Sequence, residues 1–127
     1  MKKLLLIALV VIVTACEKES ESINTCTLFI ASTRQRITAN DKGEFTVNGV
    51  SHKMLSESLT TFKDLMMRLD KIELSKIYNS TLNTPIDYSI DIDYNGRKRT
   101  TQAANDAIIP KDLQNMYFFL KAISYTN

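Results

Sequence analysis

Acidic residues and a tight turn form the most suggestive chemical pattern in this chain of 127 residues. The segment Asp91-Ile92-Asp93-Tyr94-Asn95-Gly96 matches the opening of an EF-hand calcium loop. Calcium needs a bidentate glutamate at the twelfth position of such a loop, where this chain has Gln102. The residues before the segment alternate as those of a strand do, so we interpret it as a β-hairpin without a metal.

The basic cluster Arg97-Lys98-Arg99 follows this turn and could bind an anionic glycan or a phosphate. Neighbouring side chains of a strand point to opposite faces, so at most Arg97 and Arg99 act together. If Asp91 and Asp93 neutralise these arginines, no positive charge is left to hold an anion. We predict that the four charged residues, Asp91, Asp93, Arg97 and Arg99, form an interaction surface.

The register of this hairpin can be set in two ways. A two-residue loop, Asn95-Gly96, pairs Asp93 with Lys98. A three-residue loop with a glycine bulge instead pairs the two aspartates with the two arginines. We predict the second register, because it puts opposite charges face to face twice, and each such pair contributes a few tenths of a kcal/mol.

Catalytic chemistry has weak support in this sequence. A reactive thiol needs a nearby base, but the one histidine, His52, is far from Cys26 along the chain. Cys26 begins an apolar strand pattern, so we predict that it is inert and partly buried. His52 has no partners at the spacing of a zinc site, and the aspartates share an open strand side rather than a cleft. We therefore predict no catalytic residue, no metal and no cofactor.

The first half of the domain is predicted to be a hairpin followed by a helix. Residues that are β-branched or aromatic favour strands, and Asn, Asp and Gly favour the turns between them. Apolar residues at steps of three or four then indicate an amphipathic helix, with Ser56 as its N-cap. We predict one strand over Thr27–Thr38, a turn at 40–43, a return strand at 44–47, a short extension at Val50–Met54 and a helix at Glu57–Lys71.

The second half repeats this order. Apolar and polar residues alternate strictly from Ile86 to Tyr94, which predicts a half-buried strand, and Asn95-Gly96 turns the chain back into 97–103. Pro110 suits the first turn of a last helix. The buried face of that helix is predicted to hold Leu113, Met116, Tyr117, Leu120 and Ile123.

The predicted order is therefore ββαββα, with room for one extra short strand. This is an α+β fold with one antiparallel sheet and two helices packed on one face. The other face of the sheet would be free for a partner, and would show Asp87, Ser89, Asp91 and Asp93.

Residues 1–15 have the three parts of a secretory signal peptide. Lys2 and Lys3 give a positive start, Leu4–Val13 is an unbroken apolar run, and small residues precede Cys16. The run is shorter than the roughly 20 apolar residues that span a bilayer. The alternative interpretation is an uncleaved N-terminal anchor helix.

Val13-Thr14-Ala15-Cys16 resembles the lipobox of bacterial lipoproteins, because the cysteine stands where the apolar run ends. The resemblance implies cleavage before Cys16, a thioether-linked diacylglycerol on its sulfur and a further acyl chain on its amine. Two or more such chains anchor a protein stably to a lipid bilayer. We therefore expect a lipoprotein of the Gram-negative outer membrane, facing either the periplasm or the cell surface.

Removal of the signal peptide also removes two lysines, which reduces the net charge from +2 to zero. A neutral envelope protein has no basic field for nucleic acid, so we expect no nucleic-acid partner. The polar, acidic residues after the lipid cysteine predict a flexible tether over residues 16–25, with a reach of roughly 30 Å. One small domain is predicted over residues 26–127.

The predicted domain resembles an uncharacterised family of small bacterial envelope-lipoprotein domains. The resemblance rests on the first hairpin, the Ser56-capped helix, the Pro-Ile-Asp-Tyr strand that begins at Pro85, and the Asn-Gly-Arg-Lys turn. It implies a fold and a location, without an activity.

We therefore expect a non-enzymatic binding or accessory module that acts through contacts with an unknown envelope protein. One alternative is an inhibitor of a secreted hydrolase or of a toxin, which would probe a cleft with the loop Asn79–Pro85 or with the Asn95-Gly96 tip. A second alternative is a small hydrolase that uses His52 or an aspartate.

Overall fold

The structure is a computed structural model that describes residues 23–79 and 85–125. The predicted signal peptide, Cys16 and residues 80–84 of the predicted loop lie outside the described residues. Within the described ranges, no helix combines the length and the apolar character that a membrane span requires. The elements are β1 (Thr25–Ile30), β2 (Gln35–Asn40), β3 (Glu44–Val47), β4 (Val50–Lys53), α1 (Ser56–Asp70), β5 (Ile77–Tyr78), β6 (Tyr88–Tyr94), β7 (Arg97–Ala103) and α2 (Lys111–Ser124).

All seven strands that these residues form belong to one sheet, in the order β4-β3-β2-β1-β6-β7-β5. The neighbouring strands are antiparallel, except that the two-residue strand β5 runs parallel to β7. The central strand β1 begins at Thr25, one residue before the predicted start of the domain. The α+β class, the single sheet and the two helices are confirmed, whereas the structure has more strands than the predicted order.

The core lies between one face of the sheet and the two helices. On β1, the side chains of Cys26, Leu28 and Ile30 are buried, whereas the residues between them are half-buried on the other face. The buried residues of the strands and of both helices form a single cluster, so both helices cover the same face. The alternation that predicted β6 is confirmed, because Tyr88, Ile90 and Ile92 lie in this cluster.

The prediction of one strand over Thr27–Thr38 is wrong, because these residues form the hairpin of β1 and β2. Residues 31–34 form its turn, and Arg34 there has a positive φ of 54°. Thr33 in the turn is β-branched, as are several residues of the flanking strands, so the turn did not stand out from them. A straight strand of this length would also exceed the usual three to about ten residues.

Both helices begin one residue away from their predicted caps. Ser56 is the first residue of α1, and Leu55 occupies the N-cap position without a side-chain hydrogen bond. Pro110, predicted in the first turn of α2, occupies the N-cap position instead. The N–H of a residue at this position has no partner within the helix, so the missing N–H of proline removes no helical hydrogen bond. The Pro110 carbonyl accepts a hydrogen bond from the Gln114 N–H at 3.0 Å.

The predicted register of the second hairpin is also wrong. Asp93 lies opposite Lys98, and Asn95 and Gly96 have φ angles of 52° and 79°. Two positive φ angles define the two-residue type I′ turn that Asn-Gly favours and that matches the twist of the strands. The turn therefore sets the register, and the smaller benefit of facing charges does not change it.

Candidate functional site

The four residues predicted as one interaction surface lie on opposite faces of the sheet. Asp91 lies opposite Thr100, and Asp93 lies opposite Lys98, both on the face without helices. Arg99 lies opposite the buried Ile92, which puts Arg99 and Arg97 on the helix-covered side. The structure therefore brings each aspartate together with a polar neighbour, and it does not bring the aspartates together with the arginines.

Arg99 connects the end of α1 to the sheet. Its guanidinium donates hydrogen bonds of 2.9 Å to the carbonyl oxygens of Leu69 and Ile72. These carbonyls lie at the end of α1, where no further helical turn supplies a donor. Burial lowers the pKa of Arg99, and the neighbouring charge of Arg97 lowers it further. Arg99 therefore has a structural role that makes it unsuitable as a contact residue.

The face of the sheet without helices is polar. The hydroxyl of Thr100 donates to Asp91 at 2.8 Å, and the hydroxyls of Thr27 and Thr38 lie 3.0 Å apart. The Asn95-Gly96 tip at one end is held by a 2.8 Å hydrogen bond from the Asn95 N–H to Asn24. A protein-binding patch would show apolar side chains there, and this face shows mainly hydroxyl and charged groups.

Cys26 and His52 are far apart in the structure as well as in the sequence. Cys26 is fully buried, and this burial, with a smaller effect of the Asp91 charge, raises the pKa of its thiol. His52 lies on β4 and stacks on Phe45, with 5.2 Å between the ring centroids. Because β2 and β3 separate their strands, the two backbones lie about 14 Å apart. Cys26 was predicted to be partly buried, and the structure buries it completely.

The aspartates also lack the arrangement of a metal site. In the part of the chain that the structure describes, no three His, Cys, Asp or Glu side chains lie close enough together to hold a metal ion. Asp91 and Asp93 belong to a regular hairpin, as interpreted from the sequence. Asp87, on the same strand side, accepts a hydrogen bond from the Asn105 N–H.

An apolar groove lies where the start of α1, the end of α2 and the end of β4 meet. It has a volume of about 510 Å³. Glu57 is the lining residue that supplies a charge. Lys53 also lines the groove, but its neighbour His52 stacks on the buried Phe45, so alternation directs the Lys53 side chain to the other face of the sheet. The apolar part of the wall is formed by Phe45, Met54, Leu55, Phe119, Ala122 and Ile123.

Two large apolar side chains at or close along the chain to this groove are exposed to solvent. Leu55 lines the groove and is 77% exposed, although it immediately precedes the amphipathic helix α1. Tyr125, two residues after the lining residue Ile123, is 75% exposed. A groove with exposed apolar side chains around it is typical of a surface that binds another molecule.

The strand beside the groove, β4, is at the edge of the sheet. The Met54 N–H donates to the Gly43 carbonyl at 2.7 Å, so the backbone of residue 54 faces β3. Backbone groups alternate in direction along an antiparallel strand, and His52, which lies opposite Phe45, therefore also faces β3. The N–H and C=O groups of Ser51 and Lys53 consequently point away from the sheet.

A second cleft, of about 340 Å³, lies between the start of β1 and α1, and is lined in part by Met67 and Tyr94. Its carboxylates are engaged by the protein itself. Asn24 donates to Asp41 from both its backbone and its side chain, and Asp64 pairs with Arg68 at 2.8 Å. This cleft therefore offers a ligand fewer free polar groups than its composition indicates.

Sequence analysis did not identify the groove. It placed Ile123 in the core and treated 50–54 as a short extension, but the groove requires the tertiary contact of two helix ends. One local signal was present, because Leu55 is an apolar residue at a position where helices favour Ser, Thr, Asp or Asn.

Comparisons with known proteins give no relative for this chain: no protein-family model, no curated protein and no solved structure matches it.

Proposed function

We propose that this chain is a lipid-anchored lipoprotein of the cell envelope whose domain is a non-enzymatic binding module. The groove beside β4 is its contact site for an envelope protein. The observation that carries this proposal is the apolar wall of the groove, which continues into the exposed side chain of Leu55.

The energetics favour a protein partner for this surface. Burial of apolar area contributes about 25 cal/mol per Å², and a covered Leu55 side chain would supply part of it. Aromatic and apolar groups at the centre with charged groups at the edge are the usual composition of a protein interface. Phe119 supplies aromatic surface and Glu57 supplies a charge at the edge.

The proposed anchor restricts where the partner can be. Thr25, at the start of β1, lies opposite Asn40, and the turn that follows Asn40 leads to Gly43 and the groove end of β4. The tether would therefore join the domain at the end of the sheet that carries the groove. With a tether reach of roughly 30 Å, the partner would be a membrane protein or another lipoprotein of the same membrane.

The test is an affinity pull-down from the native envelope with the lipidated protein and two matched variants. Leu55→Asp adds a charge in the groove, and Ile108→Asp adds the same charge at a residue that is 96% exposed and does not line the groove. Aspartate is a favourable N-cap residue, so Leu55→Asp should not destabilise α1.

We expect the wild type and Ile108→Asp to retain the same stoichiometric partner, and Leu55→Asp to lose it. Retention of that partner by Leu55→Asp would remove the groove as the contact site. If none of the three proteins captures a partner under gentle crosslinking, the binding-module proposal is wrong.

A further inference from the structure

The free edge of β4 determines how a partner can occupy the groove. We infer that the partner binds as an extended segment that adds a strand to β4 and inserts alternate apolar side chains into the groove. This inference rests on the proposed function, and it specifies the conformation and the side-chain chemistry of the partner.

Main-chain geometry supports strand addition. Ser51 and Lys53 each direct one N–H and one C=O away from β3, because residues on either side of them pair inward. An added strand could satisfy these groups with up to about four hydrogen bonds. Strand addition to an exposed sheet edge is a general mode of peptide recognition, in which the main chain supplies affinity.

The two edges of the sheet differ in how well they can accept a strand. The other edge, β5, consists of two residues. In contrast, β4 pairs with β3 along all four of its residues, from Val50 opposite Val47 to Lys53 opposite Glu44. Of the common means of protecting an edge, it has a lysine, Lys53, but no proline and no bulge. β4 is therefore the edge that is available for pairing.

Side-chain alternation defines the chemistry of the added segment. Residues next to His52 and Met54 would face the helix side, where Met54 and the α2 end form the groove. Residues next to Ser51 and Lys53 would face the polar side of the sheet. An acidic residue there would face Lys53, which has Glu44 as its other neighbour, and so extend a row of alternating charges.

The partner is therefore a segment with apolar residues at every second position and polar or acidic residues between them. A membrane-spanning or amphipathic helix has a period of 3.6 residues and does not meet these requirements. A second copy of this chain, paired through its own β4, is the other occupant that an edge strand admits, and the experiment below separates it from a peptide.

The variants Ser51→Pro and Ser51→Ala test this inference. Proline at position 51 removes an N–H that points outward and puts its ring where an added strand would lie, while the hydrogen bonds between β3 and β4 remain. Alanine removes the same hydroxyl and keeps the N–H. The probe is a phage-displayed library of random linear peptides, selected on the wild-type full chain.

We expect selected peptides to alternate between apolar and polar residues. They should bind Ser51→Pro at least about tenfold more weakly than Ser51→Ala, because main-chain hydrogen bonds are lost. Equal binding by the two variants, or selected peptides with helical spacing, would overturn strand addition. Circular dichroism melting of both variants shows whether each is folded.

Two further measurements separate this inference from the proposed function. In the first, the envelope partner is lost from Leu55→Asp but binds Ser51→Pro as well as it binds Ser51→Ala. That result would keep the groove as a contact site and would show that the strand-addition inference is wrong. A wild-type dimer in light scattering that becomes a monomer in Ser51→Pro would assign the edge to a second copy, and would also contradict the inference.

Discussion

Arg99 joins the C-terminal end of α1 to β7 through two hydrogen bonds of 2.9 Å. Hydrogen bonds from a charged donor contribute about 1.5–3 kcal/mol each when they are well shielded, and less at a half-exposed side chain. We predict that Arg99→Ala lowers the free energy of unfolding by about 1–2 kcal/mol, measured by urea denaturation.

Arg97→Ala is the matched control for this prediction. Arg97 is exposed and lies 3.7 Å from Asp70, so its removal should cost less than about 0.5 kcal/mol. If both variants unfold at the same urea concentration, the capping role of Arg99 is not correct.

Cys26 should make the protein less stable at alkaline pH. Burial raises the pKa of its thiol in the folded state, whereas the thiol of the unfolded chain ionises near pH 8.5. The unfolded state therefore loses a proton first as the pH rises. We predict that the free energy of unfolding falls by about 1–2 kcal/mol between pH 8 and pH 10.

Cys26→Ala is the control, because it removes the thiol and should flatten this pH dependence. The comparison is limited to pH values below 10, since burial also raises the pKa of Tyr88 to about 12 and adds a second loss of stability above its usual pKa. An equal slope in the variant and in the wild type would contradict the assignment to Cys26.

At the level of single residues, the sequence predicted burial better than contacts. The alternation around Ile90 and the stripe of α1 placed the core correctly, because burial follows the period of each element. The role of Arg99 could not be predicted from the sequence, because its acceptors, the carbonyls of Leu69 and Ile72, belong to a distant part of the chain.

At the level of secondary structure elements, the turns decide the topology of this sheet. Asn95-Gly96 was recognised as a turn because asparagine and glycine adopt positive φ readily. The turn at 31–34 was missed, because Arg34 gives no such signal although its φ is 54°. The missed turn converts one predicted strand into two and places β1 at the centre of the sheet.

Replacement of Arg34 by glycine should stabilise the fold. A residue with a Cβ in the left-handed region costs about 1–2 kcal/mol, and glycine avoids this cost. Glycine also loses more chain entropy on folding, which cancels part of that gain. We predict that Arg34→Gly raises the free energy of unfolding by about 0.5–1 kcal/mol, measured by thermal melting.

Arg36→Gly provides the comparison, because Arg36 lies in β2 and its guanidinium lies 5.2 Å from the centroid of the Phe29 ring. Glycine in a strand costs stability, so this variant should melt at a lower temperature than the wild type. A lower melting temperature for Arg34→Gly as well would show that the turn does not strain Arg34.

The groove also belongs to the scale of elements. The segments that line the groove were each predicted as parts of elements. The groove exists only because the start of α1, the end of α2 and the end of β4 lie together, and the sequence does not show that contact. The predicted surface around Asp91 and Arg97 failed for a related reason, because a one-residue change of register moves every side chain to the other face.

At the scale of the whole molecule, the N-terminal sequence predicts a lipid anchor, and the contact site that we propose lies in the domain. The Cys16→Ala variant lacks the residue to which the proposed lipid is attached. We predict that radiolabelled palmitate supplied to cells is incorporated into the wild type and not into Cys16→Ala. Label in neither protein would support the uncleaved anchor helix, and equal label in both would show that Cys16 is not the lipidated residue.

The measurement that tests the central claim most directly is site-specific photo-crosslinking in living cells. A photoreactive amino acid is placed at Leu55 in the groove or, as the control, at Ile108, which is even more exposed and lies outside it. We predict one discrete protein adduct from position 55 and none from position 108. The absence of an adduct at position 55, or the same adduct from both positions, would contradict a protein-binding groove.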